Sequence, residues 1–114
     1  MSAPRTYREF WPYYVVEHRR SGTRWLHFTG TAGVLAFFVI AIVTLNGWWL
    51  VGMPLFGYAF AWIGHFTVER NKPATFRFPV WSLIGDFHMF VLMCLGRMND
   101  EVARCAELTA GRRL

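Results

Sequence analysis

From residue 28 to residue 66 the sequence contains no Asp, Glu, Lys or Arg. A soluble chain of 114 residues has too little interior to hide so long an uncharged run. A bilayer removes the difficulty, because crossing one takes ~20 apolar residues. Cysteine is scarce as well. Cys94 and Cys105 show neither CxxC nor His-rich spacing, which reads as two reduced thiols. The first 25 residues are charged and aromatic and lack an early apolar segment, so no cleavable signal peptide is expected. Acidic residues number 7 against 12 basic ones, leaving a net charge of +5. The aromatics lie in the uncharged runs and not among the basic residues. That pattern suits an anionic membrane surface and excludes a nucleic-acid partner.

What is present is apolar and aromatic, 54% and 18% of the chain, and the length allows one domain. The expected fold is all-α: a small multi-pass helical membrane protein. Residues 1–24 form an amphipathic arm in which Phe10, Tyr14 and His18 share a face and Pro12 sits near the start of the helix. Ser21-Gly22 breaks this helix, and Thr23 caps the next. Residues 28–66 form a hairpin of two spans, Phe28 to Leu45 and Trp49 to Phe66, of 18 residues each. Each is ~27 Å long. Asn46-Gly47 makes the turn between them, and Trp48 and Trp49 are interfacial anchors. Residues 67–78 are a basic linker. Residues 79–96 are a third apolar helix containing Asp86 and His88. Residues 97–114 are a surface tail with an Asp100–Arg104 pair. Basic residues flank the hairpin at its open end only. This puts the N-terminus and the linker on the cytoplasmic side of a membrane, by expectation the bacterial cytoplasmic membrane. Length leaves the third helix open between spanning and re-entrant, and the charge of the tail favours re-entrant.

Four histidines carry the chemistry. His27 precedes the first span and His65 ends the second, so an antiparallel hairpin holds them at one depth. His18, on the arm just before His27, can fold over the hairpin mouth. Glu69 lies four residues after His65, on the same face if the helix continues. Tyr58 and Trp62 extend that stripe. The adjoining Gly57, Ala61 and Gly64 form a small-residue surface for a second helix. Asp86 and His88 point ~200° apart on a helix and cannot share a pocket. Asp86 is an ionisable group in an apolar segment and needs a partner, either a histidine or an Arg of the linker. Glu69 has a plainer alternative, offsetting Arg70 or Lys72. Histidines with a carboxylate suit non-heme Fe(II), and zinc accepts the same ligand types.

Four pieces of sequence carry a resemblance: FWPYYVVEH (10–18), RWLHFTGT (24–31), GYAFAWIGHFTVERNKPATF (57–76) and PVWSLIGDFHMF (79–90). In this order they resemble the Mpo-type 2-hydroxy fatty acid dioxygenase family over about residues 10–96. The resemblance is to its compact bacterial form, which lacks apolar sequence that the fungal form carries between the second and third histidines. It implies a multi-pass helical protein that uses Fe(II) and O2 to convert a long-chain 2-hydroxy fatty acid into a fatty acid one carbon shorter. The family's histidines match His18, His27 and His65. Glu69, Pro73, Ala74, Ser82 and Leu83 also match its pattern, and His88 does not.

The leading expectation is therefore an Fe(2+) enzyme. His18, His27 and His65 hold the metal, and Glu69 is a fourth ligand or orients one. Asp86, Tyr58, Arg24, Arg70 and Asn71 are candidates for supporting the ligands or binding substrate. Arg24, Arg70 or Lys72 can pair with the substrate carboxylate. The partners are the 2-hydroxy fatty acid, O2 and membrane lipid. A homo-oligomer is compatible with the small-residue surface. The same surface supports a second reading, a non-catalytic membrane scaffold. A zinc-dependent membrane hydrolase is a third, without an evident nucleophile beyond metal-bound water.

Overall fold

The computed structural model describes residues 3–113. Its elements are helices α1 (Tyr7–Val16), α2 (Ser21–Thr44), α3 (Trp49–Ile63), α4 (Pro79–Cys94) and α5 (Met98–Arg113). A π-helical turn, Gly64–Glu69, continues α3, and a 3-10 turn, Ala74–Phe76, precedes α4. No strand occurs among the described residues.

Thr6 caps α1, its hydroxyl accepting the Glu9 amide at 3.2 Å. The Glu9 carboxylate reaches back to the Arg5 amide at 2.8 Å. The two bonds satisfy amides that every helix start leaves without partners. Pro12 stands inside α1, and the helix passes through it. The break after α1 falls at residues 17–20 and not at Ser21-Gly22, which open α2; Arg20 is the extended residue. Ser and Gly are tolerated in a first helical turn. Gly22 also has a packing reason to be small, since a Cβ there would sit 3.3 Å from Val68 Cγ1. Thr23, expected as a cap, is a buried residue inside α2.

α2 and the α3–π segment are both long and apolar enough to cross a membrane. They pack as an antiparallel hairpin whose crossing is lined by glycine. A Cβ on Gly30 would lie 3.2 Å from the Gly57 carbonyl oxygen, and one on Gly57 would lie 2.9 Å from Val34 Cγ2. A Cβ on Gly64 would meet Thr23 Cγ2 at 3.2 Å. The Gly57–Ala61–Gly64 surface is thus occupied by α2 of the same chain, which removes its support for a partner helix. At the turn the left-handed residue is Leu45 (φ 53°), not Gly47.

The molecule is 54 Å long and 27 by 26 Å across. The tip of the hairpin stands alone, with Val43, Leu45, Trp48 and Leu55 exposed. The other helices gather at its open end around Phe10, Trp11, Tyr14, Val15 and Met89. Both ends of α4 pack on this cluster, Phe78 and Trp81 at its start and Leu92 and Met93 near its end. The helix also packs against α2 of the hairpin, where Phe90 stacks on Phe28. It has 16 residues, ~24 Å, short for a full span.

α5, expected as a surface tail, is a mostly exposed helix anchored on the base at two points. Met98 and Cys105 are buried in the base, and Trp11 Nε1 donates to Glu101 Oε1 at 2.9 Å. Arg104 pairs with Glu101, one turn back on α5, and not with Asp100. Cys94 and Cys105 are both free thiols.

Candidate metal centre

Three histidines meet where α1, the hairpin and α4 come together. His18 lies in the bend after α1, His27 in the second turn of α2, and His65 in the π turn. All three are at most 5% exposed. The Nε2 atoms of His18 and His27 are 3.1 Å apart, and those of His27 and His65 are 3.2 Å apart. The rings are nearly perpendicular to one another, at 82°, 77° and 88°, like three facets of a corner.

Each outer nitrogen faces an acceptor. His18 Nδ1 lies 2.7 Å from the Tyr14 carbonyl oxygen. His65 Nδ1 lies 2.6 Å from Asn71 Oδ1. The Asn71 amide cannot be reversed, because its Nδ2 donates to both the Glu17 carbonyl at 3.0 Å and the Glu17 carboxylate at 2.6 Å. His27 Nδ1 lies 3.4 Å from Asp86 Oδ1. Nδ1 is therefore the protonated nitrogen in His18 and His65, and Asp86 favours the same tautomer in His27. Three Nε2 lone pairs are left pointing at one another. Without a cation between them they repel, and with one they become its ligands.

The donor set fits a metal on three counts. Bonds of ~2.1 Å put ligand nitrogens ~3.0 Å apart at right angles and ~3.4 Å apart in a tetrahedron. The observed separations lie between the two, so they suit a metal without choosing iron or zinc. Beside the rings is a cavity of about 10 Å³, lined also by Tyr14, Ser82 and Asp86. Ser82 Oγ is buried there without a hydrogen-bond partner. A buried orphan hydroxyl at such a point is what a metal's own water would satisfy. Burial, and then the neighbouring imidazoles, hold the His18 pKa well below its ordinary value, so His18 is a neutral ligand at pH 7.

Local structure explains the placement. The π turn widens the helix just where His65 must project, and such turns recur at functional sites. The turn ends at Arg70, whose left-handed backbone (φ 60°) folds the chain back over His65. The Asn71 amide then bonds the His65 carbonyl at 2.9 Å while its side chain holds the ring. Tyr14 serves two groups: its carbonyl accepts from His18, and its hydroxyl donates to Asp86. Burial, and then the Asp86 carboxylate, hold the Tyr14 phenol well above its ordinary range, so it keeps that proton. A Cβ on Gly85 would sit 3.2 Å from the Tyr14 ring, so the close approach of α4 to α1 depends on glycine there.

The other candidates fall in several places. Glu69 is not with the three histidines. Its carboxylate accepts the amide of Arg20, the residue that precedes α2, and so places a negative charge at the N-terminus of that helix. Arg24 is buried and turned to the backbone, donating to the His18 carbonyl at 3.0 Å and the Arg19 carbonyl at 2.7 Å. It also donates to Asn99 Oδ1 at 3.0 Å. Arg24 thus fixes the bend that carries His18. Arg70 is exposed, and Tyr58 lines an apolar groove beside His27. Asp86 has its partners in Tyr14 and His27, not in a linker arginine. His88 lies apart, stacked on Trp11 and 3.0 Å from the Tyr7 hydroxyl. Tyr14 and Glu17 went unread in the sequence as supporting groups. The i, i+4 spacing of Tyr14 and His18 was the signal for the first, and nothing local points to the second.

Supporting partners of metal-bound histidines typically contribute ten- to hundredfold in affinity. Asn71→Leu and Asp86→Asn are each expected to weaken metal binding by about that factor. Glu69→Gln, which keeps an acceptor for the Arg20 amide, is expected to change it little. Competition with a chelator of known affinity measures all three. A loss in Glu69→Gln as large as in Asn71→Leu would return the Glu69 carboxylate to the site.

A small all-helical protein with two membrane-length apolar helices and a buried tri-histidine group able to hold a metal is the class that fold and site define. Within it, the chain belongs to the 2-hydroxy-palmitic acid dioxygenase Mpo1-like family, whose model matches residues 4–98. No curated protein and no solved structure matches the chain.

Proposed function

We propose that this protein is a membrane-embedded, Fe(II)-dependent dioxygenase that shortens long-chain 2-hydroxy fatty acids by one carbon. The observation that carries the reading is the set of three buried Nε2 lone pairs aimed at one point, each ring backed by its own acceptor. The family supplies the reaction class. The balance is one 2-hydroxy acid and one O2 giving the shortened acid, carbon dioxide and water.

A ferrous ion held by His18, His27 and His65 would supply the charge that binds the substrate's carboxylate and hydroxyl, and the redox chemistry that O2 requires. The chain's residues do the rest. Tyr14 and Asp86 hold His27, Asn71 holds His65, and Arg24 fixes the bend of His18. With Arg24 committed to backbone carbonyls and to Asn99, no other arginine among the residues of described burial is buried, which leaves the substrate carboxylate's charge to be met at the histidine centre. Tyr58 and Thr31 offer hydroxyls beside His27. The hairpin crosses the bilayer, the basic base faces the cytoplasm, and α4 lies in the interface with Val80, Leu83, Ile84, Phe87, Val91 and Leu95 outward.

The test is product mass after incubating the purified protein with Fe(II), O2 and 2-hydroxypalmitate. Pentadecanoic acid is expected under air and not under nitrogen. Palmitate, without the hydroxyl that makes the substrate a chelate, is expected to react at least about tenfold more slowly. Absence of pentadecanoic acid with iron demonstrably bound contradicts the reading.

A further inference from the structure

An apolar groove of about 300 Å³ runs from the histidine centre toward the hairpin tip. α2 forms its floor, packing against both α3 and α4, while α3 and α4 scarcely touch each other. The ionisable pair of the groove, His27 and Asp86, is at the histidine centre. Thr31 and Tyr58 add hydroxyls farther along, and Val34, Met53, Leu83 and Phe87 supply an apolar wall. His27 and Asp86 also line the small cavity at the three histidines, so the two spaces adjoin at these residues. One polar end joined to an apolar trough is complementary to a single-chain amphiphile with its head at the metal site.

The dimensions limit how much of that chain fits. From His27 to Val34 is seven residues along α2, ~10 Å. At ~30 Å³ for a group the size of a water or methylene, the volume holds about ten. Beyond Val34 the floor is filled, since a Cβ on Gly52 would lie 3.1 Å from the Phe37 ring. The side is open. Leu83 is 52% exposed and Leu55, beside the groove residue Pro54, is 68% exposed, so the seam between α3 and α4 is apolar to its edge.

We propose that the groove takes only the head and the first part of the acyl chain, about ten groups in all, and that the remaining chain leaves through the α3–α4 seam into the surrounding lipid. The proposal rests on the fatty-acid reading above and adds what the protein measures. It selects against bulk or branching near the head and is indifferent to total chain length once the groove is full. It also makes lateral access from the bilayer the route to the site.

Photo-crosslinking in lipid nanodiscs tests this without turnover. The probes are two long-chain 2-hydroxy fatty acids, one with a diazirine near the head and one with a diazirine at the chain end. The near-head probe is expected to label groove residues near the histidine centre, such as Thr31 or Leu83, and the chain-end probe to label lipid. Leu83→Trp narrows the seam and is expected to reduce near-head labelling about fivefold or more. Ile84→Trp adds the same bulk on the adjoining outward face and is expected to leave it unchanged. Should Leu83→Trp fail to fold, judged by helix content, Met53→Trp blocks the far end of the groove with the same expectation. Chain-end labelling of Val34 or Met53 overturns the proposal in favour of a closed pocket. No groove labelling by the near-head probe overturns it too, even if the wild type still forms pentadecanoic acid. Groove labelling in a protein that forms no pentadecanoic acid upholds the groove while the proposed reaction fails.

Discussion

His65→Ala protein is expected to bind no iron under conditions that load the wild type, and His18→Ala and His27→Ala are expected to behave alike. Each removal takes away one of three nitrogens that lie 3.1 to 3.2 Å apart along the His18–His27–His65 chain. The loss exceeds the ten- to hundredfold of a supporting partner, because a first ligand goes and its buried space is left behind. Activity is lost with the metal. The fold has a separate base cluster around Phe10 and Tyr14, so helix content is expected to survive. His88→Ala provides the contrast. That ring stacks on Trp11 at 3.8 Å and touches none of the three, so iron is retained. Iron content by mass spectrometry of the purified variants reads all four. Loss of iron from His88→Ala with retention in His18→Ala would reverse the ligand assignment.

The second large effect comes from a residue that touches no metal. Gly30→Leu is expected to weaken iron binding about hundredfold or more, although Gly30 carries no ligand atom. A Cβ at position 30 would already sit 3.1 Å from Phe60 Cβ and 3.2 Å from the Gly57 carbonyl. Neither is the far end of a flexible side chain, so the two helices must separate. Overpacking of this kind costs about 1–3 kcal/mol. Here it also pulls His27, one turn away on α2, from His65 on the continuation of α3. Gly47→Leu at the hairpin turn, where nothing lies within 4 Å, is the control and is expected to bind iron normally. Circular dichroism alongside the iron titration separates a displaced site from an unfolded chain. Normal iron affinity in Gly30→Leu would mean that the site tolerates helix separation, and the close crossing would lose its role.

The legible part of this molecule was what depends on period and depth. An uncharged run bent once puts His27 and His65 at the same level, whatever the details of the turn. The Phe10–Tyr14–His18 face was readable from spacing alone. The separation of Asp86 from His88 followed from helical geometry. Less legible was anything set by long-range partners. Glu69 shares a helical stripe with His65 on paper. In the structure the segment is π-helical, and the amide of Arg20 is the acceptor's nearest unmet donor. Arg24, a plausible substrate cation by charge, is consumed by the His18 and Arg19 carbonyls. The docking of α5 is made by Met98 and Cys105 in the base cluster, the Trp11–Glu101 bond and the Arg24–Asn99 bond, all partners distant in sequence that no local pattern announces. The orphan hydroxyl of Ser82 gains meaning only once the three histidines are seen beside it.

X-ray absorption at the iron edge of the anaerobically loaded, substrate-free wild type tests the central claim most directly, because it counts imidazoles on the metal. Three imidazoles, with no protein carboxylate and the same spectrum in Glu69→Gln, is the result this site requires. Two or fewer imidazoles, or a spectrum that changes when Glu69 is replaced, would contradict a site built from His18, His27 and His65.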